Sequence, residues 1–201
     1  MGTLTQLNVV NDMLGSLGEA EVNSLVGQAP LISRCVSLLR TANAREQTKG
    51  WWFNTETLTL TPDNSGAVVV SADALKVDPI DPNLPYTHRG NRLYNLKAGT
   101  EDPRVFTYPV EVRLVRLIDF EDLPAAAQFA VSYAAQIEFH GGVDGDSDKV
   151  ALLTRAYRQA ALDLSAEHIR AVGANLLNNP STRASLNTLS GFGRLRPLTI
   201  R

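Results

Sequence analysis

Gly50-Trp51-Trp52-Phe53-Asn54, continued by Thr55-Glu56-Thr57-Leu58-Thr59-Leu60-Thr61-Pro62-Asp63, is where one kind of periodicity gives way to another. Before it, apolar residues recur at helical spacing. After it, Leu58 and Leu60 alternate with Thr57, Thr59 and Thr61, the period of a half-buried strand. Gly50 suits the left-handed residue that closes a helix. Both tryptophans of the chain fall here, and with Phe53 they bring a large apolar area into one corner. Gly50, Trp51, Trp52, Phe53 and Asn54 are therefore expected to form a structural hinge that pins helices to a sheet.

Upstream, Thr3 and Gln6 have the spacing of a capping box. Leu4, Leu7, Val10, Leu14 and Leu17 then mark a first helix, stopped at Gly18. Pro30 suits the first turn of a second helix. Its stripe is Leu31, Ile32, Cys35, Leu38, Leu39 and Ala42, and Arg45 and Lys49 meet its negative end. Downstream, residues 51–118 read as β throughout. Val68, Val69 and Val70 predict a second strand, and Gly90-Asn91 a hairpin turn. Val110, Val112 and Leu114 point one way and Glu111, Arg113 and Val115 the other, with a phase shift at Arg116 that suggests a bulge. Helix returns after Asp119-Phe120-Glu121-Asp122-Leu123-Pro124, with Asp122 or Leu123 as the expected cap. An alanine-rich third helix ends at Gly141-Gly142, and a fourth spans about 147–176.

The fold class expected is α+β. Residues 1–50 and 119–176 would make a four-helix bundle-like subdomain, and residues 51–118 an inserted small antiparallel β-sheet subdomain. Residues 177–201, with four arginines and no acid, would be an extended basic C-terminal arm.

Composition narrows the function classes. The chain has 201 residues, 44% of them apolar, a net charge of −2 and a single cysteine. There is no basic excess for nucleic acid and no internal disulfide framework. No apolar run approaches the ~20 residues of a membrane span, and Met1-Gly2-Thr3-Leu4-Thr5 lacks a basic region before an apolar core. Folding in a cytoplasm is expected.

Candidate chemistry is sparse. Asp119, Glu121 and Asp122 cluster as the paired carboxylates of a glycoside hydrolase would, but acids are also expected at a helix start on electrostatic grounds. Asp144-Gly145-Asp146-Ser147-Asp148 opens like a calcium loop but places Lys149 and Arg155 where that loop needs Gly and Glu. His88, His140 and His168 share no metal-ligand spacing. Neither a catalytic site, a metal nor a cofactor is expected. Arg183, Arg194, Arg196 and Arg201 suit phosphates or an acidic protein partner, and stacking on single strands would need more aromatics than Phe192.

One resemblance runs through the order of the motifs. Leu7-Asn8-Val9-Val10-Asn11-Asp12-Met13-Leu14-Gly15-Ser16-Leu17-Gly18-Glu19, Val22-Asn23-Ser24-Leu25 and Gly50-Trp51-Trp52-Phe53-Asn54-Thr55-Glu56 come first. Leu58-Thr59-Leu60-Thr61-Pro62-Asp63, Arg89-Gly90-Asn91-Arg92-Leu93-Tyr94 and Arg116-Leu117-Ile118-Asp119-Phe120-Glu121-Asp122-Leu123-Pro124 follow. Collinear over about residues 7–140, they resemble the tail tubular protein A family of short-tailed, T7-like bacteriophages, the adaptor or gatekeeper of the virion neck. The resemblance implies a virion protein, assembled in the host cytoplasm, that forms a ring with itself, a dodecamer. That ring would join the portal protein to the tail nozzle protein (tail tubular protein B). Genomic DNA would pass through its lumen without sequence-specific binding, and no cofactor or membrane is implied. In such a ring the faces that meet differ, and Glu111, Arg113 and Arg116 are candidate subunit-interface residues. The arm with Arg183, Arg194, Arg196 and Arg201 would dock on the portal. A tail protein with glycan-hydrolase activity at Asp119, Glu121 or Asp122 and a DNA-binding module are the alternatives.

Overall fold

The structure is a computed structural model and describes residues 4–26, 29–81, 83–143 and 145–178, with side chains to 173. The chain divides into two compact units, Met1–Leu164 and Ser165–Arg201. Among the described residues, four helices and small antiparallel sheets make the fold α+β.

The first unit holds two apolar clusters. One is helical and is built from α1 (Gln6–Ser16), α2 (Pro30–Gln47), α3 (Ala125–Gly142) and the first half of α4 (Ser147–Asn178). Val9, Val10, Met13, Cys35, Leu39, Phe139 and Leu164 are buried at its centre. Ala127, Ala130, Ala134 and Ala135 are buried with them and keep one face of α3 thin, so a neighbouring element can approach closely. The other cluster, with Val68, Val70, Leu93, Val112 and Leu114, belongs to the strands. They are β1 (Thr55–Leu60), β2 (Ala74–Pro79), β3 (Tyr86–Arg89), β4 (Arg92–Asn95) and β5 (Val110–Arg116). β5 lies between β1 and β2 in an antiparallel three-stranded sheet, and β3 and β4 form a hairpin turned at Gly90, whose φ is 60°. In the second unit α4 runs on to Asn178, and Ile169 is exposed.

Several local expectations shift. Thr5, not Thr3, caps α1. Its side chain accepts from the Asn8 N–H while Asn8 Oδ1 accepts from the Thr5 N–H, so an asparagine does the reciprocal work expected of Gln6. Val68–Val70 does not form a strand. Only Val69 bridges, to Arg92, while Val68 and Val70 are buried beneath the hairpin and their backbones bond to Leu93 and Asn91. The second strand to pair with β5, on the side away from β1, is β2 instead, which ends in Pro79. The register irregularity lies on β2, between Ala74 and Lys76, and not on β5. Val115 breaks the alternation because it is buried at a position where an added Gly50 Cβ would sit 3.4 Å from its Cγ2. The residue before a proline is pushed out of the helical region. Leu123 is accordingly extended, a short 3₁₀ turn occupies Phe120–Asp122, and Pro124 rather than Asp122 or Leu123 caps α3.

Candidate functional site

The junction between helices and sheet is made of carboxamides. Gly50, at φ 78°, ends the turn after α2. Asn54, 3% exposed, then satisfies three backbone groups. Its Oδ1 accepts from the Trp51 N–H at 2.8 Å, and its Nδ2 donates to the carbonyls of Gln47 at 3.0 Å and Arg116 at 2.9 Å. Gln47, 1% exposed, holds both backbone groups of Ile118, donating to the carbonyl at 2.7 Å and accepting from the N–H at 2.8 Å. Asn43 donates to the same carbonyl at 3.1 Å and accepts from Gln47 at 2.8 Å. The Trp51 indole N–H donates to the Glu46 carbonyl at 2.9 Å, and Trp52 and Phe53, both half-buried, meet edge to face at 5.0 Å. All of these groups are neutral, and their lone pairs and protons are spent on backbone and on one another. They hold a geometry; they do not activate a substrate.

Beyond the junction, Arg116 ties strands together. Its guanidinium pairs with Glu56 on β1 and, at 3.0 Å, with Asp73 just before β2. The Ser71 hydroxyl, and then Arg116, hold the Asp73 carboxyl below its usual range. Glu111 and Arg113 are exposed on the opposite face of β5 from Val110, Val112 and Leu114, with Arg113 in register with Thr57 and Asp78. Of the three candidate interface residues, Arg116 is thus engaged inside the chain, while Glu111 and Arg113 face outward. The carboxylates near α3 are exposed, and Glu121 accepts from the backbone and the side-chain amide of Gln6 at 3.1 and 3.0 Å. It serves the N-terminus of α1, where the unpaired N–H groups of a helix need acceptors. No group of three or more His, Cys, Asp or Glu side chains able to hold a metal occurs among the described residues.

Comparison with known proteins gives the geometry its context. The sequence profile of a family described as tail tubular protein matches residues 7–180. Tail tubular protein A of Klebsiella phage KP34 is 30% identical over 172 residues, which is 83% of this chain and 88% of that protein. The chain belongs to the tail tubular protein family. For a tail tubular protein, a structural component of a phage tail, a junction that spends its polar groups on backbone is the expected kind of central feature. The match stops at residue 180, and Arg183, Arg194, Arg196 and Arg201 lie beyond it and outside the described residues.

This tail tubular protein also has a cleft not anticipated from the sequence. It encloses about 410 Å3 between α2, α3 and α4 and is lined by Arg45, Glu46, Lys49, Ile137, Glu138 and Tyr157. Glu46, 4% exposed, accepts from the Tyr157 hydroxyl at 2.9 Å and from Lys49 Nζ at 2.5 Å. Burial works against the Lys49 charge, but Glu46 and Tyr157 outweigh it and raise its pKa. Arg45 pairs with Glu138 at the rim. The i,i+3 spacing of Glu46, in the last turn of α2, and Lys49, just past its end, was the available signal.

Proposed function

We propose that this chain is the ring-forming head-to-tail adaptor, or gatekeeper, of its virion, joining the portal to the tail nozzle around the path of DNA ejection. The observation that carries the reading is the family match over residues 7–180, supported by 30% identity to a protein of which 88% is covered. The junction supports it physically. A subunit that repeats around a ring must present its two faces at one fixed angle, and neutral buried amides rigidify a corner without attracting DNA. A net charge of −2 suits a lumen that DNA slides through rather than sticks to. Glu111 and Arg113, exposed and unlike in charge, are the sheet residues offered to a neighbouring copy.

Negative-stain imaging of the purified protein, alone and mixed with its portal, tests this reading. Closed rings, or rings that form only on the portal, are expected. A monomer that stays a monomer beside the portal overturns it.

A further inference from the structure

β1 is an edge strand, and its phase against β5 is fixed from both sides. The Arg116 N–H donates to the Asn54 carbonyl at 2.9 Å, so the even-numbered residues of β1 turn their backbone groups toward β5. On the other side of the sheet the Ile80 N–H donates to the Glu111 carbonyl at 3.2 Å. The odd-numbered residues of β5 thus turn theirs toward β2, which gives the same phase. Thr55, Thr57 and Thr59 therefore direct N–H and C=O outward, along the open edge. None of those backbone groups has a hydrogen-bond partner among the described residues. The other edges are interrupted, covered or shorter. β2 carries the register shift between Ala74 and Lys76, the Lys76–Asp78 ion pair, and Pro79, which has no N–H to give. Beside β4, the Val68 and Pro103 carbonyls accept from the Leu93 and Asn95 N–H groups at 3.0 and 2.7 Å. β3 has four residues against six in β1. β1 has no proline, no lysine and no bulge, and its one charge, Glu56, is engaged by Arg116.

An open edge takes a strand, and the long open edge of this fold is β1 itself. Two copies that meet edge to edge therefore use the same strand, which makes the contact isologous. Antiparallel pairing keeps Leu58 and Leu60 of both copies on one side of the joined sheet. The sequence suits that arrangement. With Thr57 on the two-fold axis, Thr55 lies opposite Thr59 of the second copy, and every outward N–H and C=O finds a partner. Threonine then faces threonine on one side. On the other, Leu58 and Leu60, half-buried at the edge, lose more of their water. The register is pinned as well. A shift one way sets Glu56 opposite Glu56 of the second copy, and a shift the other way needs Thr61, past the end of β1. We propose that β1 is a homotypic docking edge, through which two copies join their three-stranded sheets into one. A ring closes through two unlike faces, so this two-fold face stands apart from the adaptor reading and does not depend on ring formation. Pairing also hides an edge that would otherwise template aggregation.

Single cysteines in the full-length chain test it. Opposed Cα atoms of a hydrogen-bonded antiparallel pair lie about 5.5 Å apart, within reach of a disulfide. Thr57→Cys should therefore cross-link to its own copy under mild oxidation, read as a dimer band on non-reducing gels. Thr59→Cys is exposed on the same face but would sit about 13 Å along the strand from its own copy, and should cross-link roughly tenfold less. Cys35 is buried and gives little background. Charge reads the contact a second way. Thr57→Lys sets like charges against each other on the axis, and so does Thr57→Glu. Each variant should sediment at half the mass of the parent with an unchanged circular-dichroism spectrum. Mixing the two should restore the parent's mass, lysine against glutamate. A disulfide at 57 no stronger than at 59 overturns the proposal. So does a Thr57→Lys variant that keeps the parent's mass, or a mixture that stays at half of it.

Discussion

Asn54 is the side chain on which most backbone converges. It bonds to Trp51, Gln47 and Arg116 from a site 3% exposed. Truncation would strand buried donors and acceptors, each costing about 1–3 kcal/mol. Asn54→Ala should therefore lower unfolding free energy by about 2–4 kcal/mol, read from the denaturant midpoint at constant slope. Asn54→Asp should be little better, because it keeps the acceptor for Trp51 but loses the donor to two carbonyls. Trp52 invites a smaller figure. Full burial would make Trp52→Ala cost about 3–5 kcal/mol, but the ring is half-buried and about 2 kcal/mol is expected. Asp73 gives a pH signature. Its folded pKa is depressed, so its contribution is present above the unfolded value near 4 and is lost as pH falls through the folded value. Thermal melts from about pH 5 down to about pH 2 should show Asp73→Asn with a shallower acid decline than the parent.

Among the elements, α3 depends on what it lacks. Ala130 and Ala135 are fully buried, and Ala127 and Ala134 nearly so, in the cluster shared with α1 and α2. Ala130→Leu adds methylenes where no space is left and should destabilise by about 1–3 kcal/mol, seen as a fall in melting temperature. These helices were legible because their apolar positions repeat every three to four residues and prolines mark the starts of α2 and α3. The hairpin at Gly90 was legible for a similar reason: a turn needing positive φ has few residues to choose from. β2 was not. Ala74 to Pro79 has neither strict alternation nor β-branched density, and its pairing with β5 across an irregular register is a long-range fact. Val68 to Val70 had the composition of a strand, but strand propensity yields to where a backbone finds partners, and the hairpin supplied them. At the junction, the aromatic corner was legible and the amide lock was not, since Asn43 and Gln47 read as ordinary polar positions on a helix.

For the whole molecule, assembly and folding are linked. If copies close into a ring, anything that binds the folded chain and not the unfolded one adds stability by mass action. The melting temperature should then rise with protein concentration across the range where rings appear by light scattering, and a flat profile would point to an isolated subunit. The junction carries a further consequence, for how such a protein changes over generations. Asn54, Gln47 and Asn43 grip the main chain of Arg116 and Ile118, not their side chains. The gripped positions are thereby released from the grip as a constraint, and the gripping positions are not. Across diverging relatives, 118 should drift among apolar residues that fit the helical cluster, and 116 should drift together with 56 and 73. Positions 43, 47 and 54 should stay carboxamides, so the corner would keep its angle while the surfaces it orients are rewritten for new partners.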